Sequence, residues 1–127
     1  MTDVNAAVGR VQLTKLASWN EIRQRNAKVL DAGIKTVLTP RSAGGAVHAY
    51  HQFTIRSPQR DALRERLASR GIGCGVYYPV PIHRLPSFGL VLELPETDMA
   101  AAEVLSLPVH PSLSGADLER IIAGVNA

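Results

Sequence analysis

The chain has 127 residues, 46% apolar and 20% charged, which suffices for one domain with one core but is short for an enzyme that closes a cofactor cleft between two domains. No apolar run approaches the length that spans a bilayer, and the polar start Met1-Thr2-Asp3-Val4-Asn5 lacks the regions of a secretion signal, so a cytoplasmic location is expected, with no membrane partner. The net charge of +3 comes from basic residues interleaved with acids, as in Arg60-Asp61-Ala62-Leu63-Arg64-Glu65-Arg66; with aromatics at only 5% this argues against a nucleic-acid partner and remains compatible with an anionic small molecule.

From residue 2 to about 32 there is no proline and one internal glycine, Gly9, which predicts a single long helix. Val4, Ala7, Val8, Val11, Trp19, Ile22 and Val29 share one face of it, while Leu13 and Leu16 fall on another. Two apolar faces need more cover than a small domain supplies, so a missing partner and self-association through this helix are expected. Gly33 fits a helix stop, and Thr39-Pro40-Arg41-Ser42-Ala43-Gly44-Gly45 reads as a loop.

His48-Ala49-Tyr50-His51-Gln52-Phe53-Thr54-Ile55-Arg56 reads as a strand, with His48, Tyr50, Gln52 and Thr54 on one face and His51, Phe53 and Ile55 on the other. On opposite faces His48 and His51 do not share a metal, and His51 beside Phe53 reads as a core histidine. Ser57-Pro58 supplies an N-cap and a first-turn proline for a helix that carries Leu63 and Leu67 and closes at Gly71. A second strand follows over 73–77; its one cysteine, Cys74, lies between Gly73 and Gly75 and reads as a small strand residue, not a catalytic thiol.

In Val76-Tyr77-Tyr78-Pro79-Val80-Pro81-Ile82-His83, two prolines restrict their own φ and the residues before them, so the loop holds Tyr77, Tyr78 and His83 still. Such a loop reads either as a binding surface or as tyrosines that plug a small core with their hydroxyls in solvent. Pro95-Glu96-Thr97-Asp98 opens a short helix through Leu105, and Ser106-Leu107-Pro108-Val109 is a third strand. Ser114-Gly115-Ala116-Asp117 has the spacing of a capping box before Leu118, Ile121, Ile122 and Val125 on one helical face. The expected fold is an α/β two-layer sandwich, a small, mostly antiparallel sheet of about three strands covered by helices on one side, with the third strand between the first two. The expected division is a helix over 1–33, a connection over 34–46 and a small domain over 47–127.

Four segments together resemble the C-terminal part of the DegT-type sugar aminotransferases, fold-type I enzymes dependent on pyridoxal 5′-phosphate (PLP). They are Met1 to Leu13, His48 to Phe53, Gly71 to His83 and Leu105 to Pro111, in that order along nearly the whole chain. The resemblance implies amino transfer, usually from glutamate, to a keto sugar on a nucleoside diphosphate. It also implies a large domain, upstream of this region, that carries the cofactor lysine; Lys15, Lys28 and Lys35 lie in no matching context, so covalent PLP attachment to this chain is not expected. The resemblance places Tyr77, Tyr78 and His83 against the substrate, with Tyr50 and His51 supporting the loop; where the family commonly has histidine before Tyr-Pro, this chain has Tyr77. Two function classes follow: the small domain of a nucleotide-sugar aminotransferase, inactive without its large domain, or a standalone non-catalytic module that binds a nucleotide sugar or oligomerises.

Overall fold

A computed structural model of the chain describes residues 2–127. Helix α1 runs Asp3–Gly33; Thr2 caps it, its hydroxyl oxygen accepting from the Asn5 N–H, and Asp3 in the first turn complements the helix dipole. Only its last turns pack, through Asn26, Ala27 and Leu30. Val4, Val8, Val11 and Val29 of the one apolar face are exposed, as are Leu13 and Leu16 of the other, so the small domain leaves much of both faces uncovered. Helix α1 meets the rest of the chain near its C-terminal end, where it packs on the final helix, so the apolar residues of its first half have nothing to lie against.

The order continues with β1 (Phe53–Arg56), α2 (Arg60–Ser69), a 3₁₀ turn (Ile82–Arg84), α3 (Pro95–Glu103), β2 (Val104–Leu107) and α4 (Gly115–Asn126). Strands β1 and β2 pair antiparallel with Phe53 opposite Leu107 and Ile55 opposite Leu105. Single bridges flank them, Leu38 to Arg56 and Gly75 to Ser106, so β2 lies between β1 and the Gly75 segment, as the element order predicts. Phe53, Ile55, Leu105 and Leu107 face one buried cluster with Leu30 of α1, Leu63 and Leu67 of α2, and Leu118, Ile121 and Val125 of α4. On the other face the chemistry is polar: Thr54 and Ser106 hydroxyls lie 2.9 Å apart, and Arg56 donates to Glu103 at 2.8 and 3.1 Å.

Several boundaries differ from the sequence reading, each for a local reason. The first strand covers Phe53–Arg56 and not His48 onwards, because the Tyr50 N–H donates to His48 Nδ1 at 2.8 Å and Tyr50 adopts φ 46°, outside strand geometry. Helix α2 begins after Gln59, and the Ser57 hydroxyl accepts from the Gln59 N–H as a turn that precedes the helix. The expected strand over 73–77 is reduced to the bridge at Gly75. Helix α3 stops at Glu103, and β2 runs Val104–Leu107, ending where Pro108 has no N–H to offer a ladder.

Helix α4 is held at both ends. Ser114 and Asp117 form the expected capping box, the Ser114 hydroxyl oxygen accepting from the Asp117 N–H and the Asp117 carboxylate accepting from the Ser114 N–H. At the other end, Arg66 donates to the Gly124 and Val125 carbonyls and Arg70 to that of Ala123, cations where the helix leaves carbonyls unpaired. The Asn126 side chain ties this end to α1, donating to the Gly33 carbonyl and accepting from the Lys35 N–H. Gly33 packs closely there: a Cβ on it would lie 2.5 Å from Ile122 Cδ1, so the Ile122 side chain would have to shift to admit one.

Hydrogen bonds from Ser114 hold the Asp117 carboxyl below the usual carboxylate range. A folded value below the unfolded one means that the stabilisation is complete above that range and is lost as pH falls through it towards the lowered value. Thermal melts between neutral pH and pH about 2 are expected to show an acid limb that Ser114→Ala makes shallower. An unchanged acid slope in the variant would contradict this assignment.

Candidate functional site: the tyrosine loop and the adjoining groove

Gly71, at φ 71°, ends α2 and lets Ile72 return to the core, after which the chain passes β2 at Gly75. The Tyr77 ring folds back over Gly75: a Cβ at Gly75 would sit 2.5 Å from its ring and hydroxyl, so glycine is what lets the ring lie there. The Tyr77 and Tyr78 rings meet edge to face with centroids 5.7 Å apart, and Tyr78 is 73% exposed. Neither tyrosine is part of the core, so the loop presents aromatic and hydroxyl surface to solvent.

His83 is placed differently. It is 7% exposed, and its Nε2 lies 3.7 Å from Asp98 Oδ1 of α3, both atoms buried without a hydrogen-bond partner. The other Asp98 oxygen takes Arg84 at 2.6 Å, so one carboxylate of α3 anchors the turn that follows the two prolines.

Beside the loop a groove of about 840 Å³ opens along the sheet edge, and Tyr77 lines it together with Arg23, His51, His110, Asp117 and Arg120. The backbone makes this gap. With Gly75 opposite Ser106, the antiparallel register sets Gly73 opposite Pro108, which has no N–H, and the edge segment separates from β2 there. Helix α1 holds two of the walls: Arg23 donates to the carbonyls of Tyr50 at 3.3 Å and His51 at 3.5 Å, and Asn26, one turn on, donates to that of His110 at 3.1 Å.

The structure thus brings His51 and Tyr77 to one groove, while Tyr78 and His83 do not line it. His51 is exposed, which corrects its reading as a core histidine: the turn at Tyr50 breaks the alternation on which that reading rested. Tyr50 is half-buried, its ring centroid 4.3 Å from that of His48 and 6.2 Å from that of Phe53, the ring planes tilted in both pairs. Arg23, Asn26, His110 and Arg120 are not among the site residues read from the sequence, although His110 lies in the Leu105 to Pro111 segment. Arg23 and Asn26 carry a signal, polar residues at i, i+3 beside the buried Leu30; nothing local marks Arg120.

Burial pushes the Cys74 thiol up to about 11, so it is neutral near pH 7. Its alkylation by iodoacetamide at pH 8 is expected to be roughly a hundredfold slower than that of a free cysteine, from the thiolate fraction alone. A rate equal to the free thiol's would rule out the protected environment. Lys15, Lys28 and Lys35 are all exposed and none lines the groove, so these residues do not form an attachment site for PLP. Among the described residues no group of three or more His, Cys, Asp or Glu could hold a metal ion, and no helix is long and apolar enough to cross a membrane.

Comparison with known proteins agrees with this architecture. A dTDP-3-amino-3,4,6-trideoxy-alpha-D-glucose transaminase of Streptomyces venezuelae is 36% identical over 98% of this chain and 35% of its own length. A pleiotropic regulatory protein of Geobacillus stearothermophilus is 38% identical over 89% of this chain and 33% of its own. Among solved structures, S. venezuelae DesV superposes with a TM-score of 0.91 at 36% identity, over 95% of this chain and 34% of that one. The aminotransferase TlmJ of Streptoalloteichus hindustanus gives 0.91 at 32% identity over 99% and 36%. The chain therefore spans about a third of the length of the relatives it matches. The DegT/DnrJ/EryC1/StrS aminotransferase family profile matches residues 1–126, and the chain belongs to that family.

Proposed function

We propose that this chain serves as the C-terminal, small-domain part of a cytoplasmic, PLP-dependent nucleotide-sugar aminotransferase, which moves an amino group from glutamate to a keto sugar. The observation that carries the reading is the coverage: nearly all of this chain matches about a third of each relative. Two structural features support it. The first half of α1 is exposed and apolar on two sides, and the exposed tyrosine loop continues into a run of exposed apolar residues through Phe88, Leu90, Val91 and Leu92. Surfaces of this kind belong against other protein.

In the complete enzyme Tyr77 and Tyr78 offer ring faces and hydroxyls to the substrate. His83, which follows them in the loop, is buried with its Nε2 towards Asp98 and without a hydrogen-bond partner. Tyr50 and His51 support the loop. The cofactor and the lysine that carries it belong to the large domain, as the family resemblance implies; that no lysine of this chain lines the groove supports this reading. Alone, the chain is inactive.

The test is to add PLP to the chain alone and to the chain mixed with a lysine-bearing large domain, and to follow absorbance and amino transfer. A cofactor band that survives dialysis, with turnover, is expected only in the mixture. The same band and turnover from the chain by itself would sink the proposal. The exposed Leu13 and Leu16 also support self-association through α1. Sedimentation at high concentration is expected to show a dimer, and a strict monomer would count against that interface.

A further inference from the structure

We propose that His83 is the positioning residue of the tyrosine loop, and that its contact with Asp98 is a charge-dependent latch that fixes the Tyr77 and Tyr78 rings when the imidazole is protonated. The latch is built wholly from this chain. Only its consequence for a substrate rests on the role proposed above for the tyrosines.

The observation that points to it is a pair of unsatisfied polar atoms. His83 is 7% exposed, and its Nε2 and Asp98 Oδ1 face each other at 3.7 Å, both buried and neither hydrogen-bonded. Polar atoms held from water without a partner destabilise the fold around them, so the contact stands to gain a bond. A proton supplies it: the imidazolium donates, the carboxylate accepts, and a charge-assisted bond is about twice as strong as a neutral one. The latched form is therefore favoured as pH falls and released as pH rises.

Few charges surround the contact. Arg84, exposed and on the same turn, holds the other Asp98 oxygen at 2.6 Å and leaves Oδ1 to the imidazole. Residues 85–92, whose Leu90 N–H donates to the His83 carbonyl, carry no ionisable side chain. Glu93 and Glu96, the acids on either side of Pro95, are exposed, and among the described residues Asp98 is the one carboxylate paired with His83. The turn also has a route to the tyrosines. Pro79 and Pro81 lock their own φ and restrict Tyr78 and Val80, so a shift at Ile82–Arg84 is carried along the segment instead of being absorbed within it. On the other side, the Leu85 N–H donates to the Ile82 carbonyl and the Leu90 N–H to that of His83, both at 3.1 Å, and these bonds open when the turn lets go.

The test is amide hydrogen exchange, read by NMR on the 127-residue chain from about pH 8 to about pH 5.5, the span over which an imidazole in water takes up its proton. Rates are taken relative to those of an unstructured peptide at each pH. Protection of the Leu85 and Leu90 amides is expected to rise roughly tenfold towards the acid end, the scale of one charge-assisted hydrogen bond. The Tyr77 and Tyr78 ring resonances should follow the same curve as the His83 imidazole, while the Arg56 N–H, bonded to the Leu38 carbonyl, keeps its protection. His83→Gln and Asp98→Asn should each flatten the response, and Arg84→Gln should retain it. The titration of the unaltered chain needs no variant, so a substitution that unfolds the turn does not decide the outcome. Level protection of Leu85 and Leu90 across the range, tyrosine resonances that ignore the His83 curve, or a response that survives Asp98→Asn would overturn the latch. All of these are read without substrate or large domain, so they are separate from the complementation test above.

Discussion

Leu30→Ala is expected to destabilise the chain by roughly 2–5 kcal/mol, whereas Leu13→Ala and Leu16→Ala should each change stability by less than about 0.5 kcal/mol. All three are leucines of α1, yet Leu30 is completely buried and Leu13 is 68% exposed. Truncating Leu30 removes apolar contact and leaves a cavity between the end of α1 and the core cluster that includes α4. It also loosens the turns that carry Arg23 and Asn26, and with them the His51 loop and the His110 turn. Truncating Leu13 or Leu16 removes nothing from this chain. Urea denaturation followed by circular dichroism decides the matter: equal midpoints for Leu30→Ala and Leu13→Ala would mean that α1 is not anchored as described. In a complex with a large domain or a second copy that covers them, Leu13→Ala and Leu16→Ala acquire an effect that the chain alone does not show.

Phe53→Ala is expected to cost roughly 3–5 kcal/mol. Phe53 is 1% exposed, the first residue of β1, and opposite Leu107 in the ladder. Its ring also backs that of Tyr50, so truncation leaves Tyr50, at its unusual φ, without part of its packing. The consequence reaches the groove because Tyr50 precedes His51. Denaturation should show a lower midpoint, and the His51 ring resonances should shift more than those of His110. A loss below about 1 kcal/mol would place Phe53 outside the core.

His83 and His51 show how far loop chemistry was readable. Both stand out in the sequence as imidazoles near tyrosines, and both were assigned by local rules. Strand alternation put His51 inside, but one hydrogen bond from the Tyr50 N–H to His48 breaks the strand and leaves His51 in solvent at the groove. The proline loop suggested a presented His83, and the chain turns it inward towards Asp98, fifteen positions later, which no local pattern links to it. Tyr77 and Tyr78 were easier, since flanking prolines fix the loop regardless of what packs beneath it.

The residues alone determined what depends on short-range chemistry: the long helix without proline, the capping box at Ser114 and Asp117, the exit of α2 at Gly71, and the family to which four ordered segments point. Propensity, caps and turns act within a few positions, so they can be read one stretch at a time. The tertiary structure decided which end of α1 is buried, how short the strands are, and that Arg23, His110 and Arg120 line one groove. Those outcomes depend on partners as far as 93 positions apart, as with Gly33 and Asn126, and on a strand pairing that Pro108 interrupts. Burial is a property of what the rest of the chain can reach, and in α1 it reaches only the last turns.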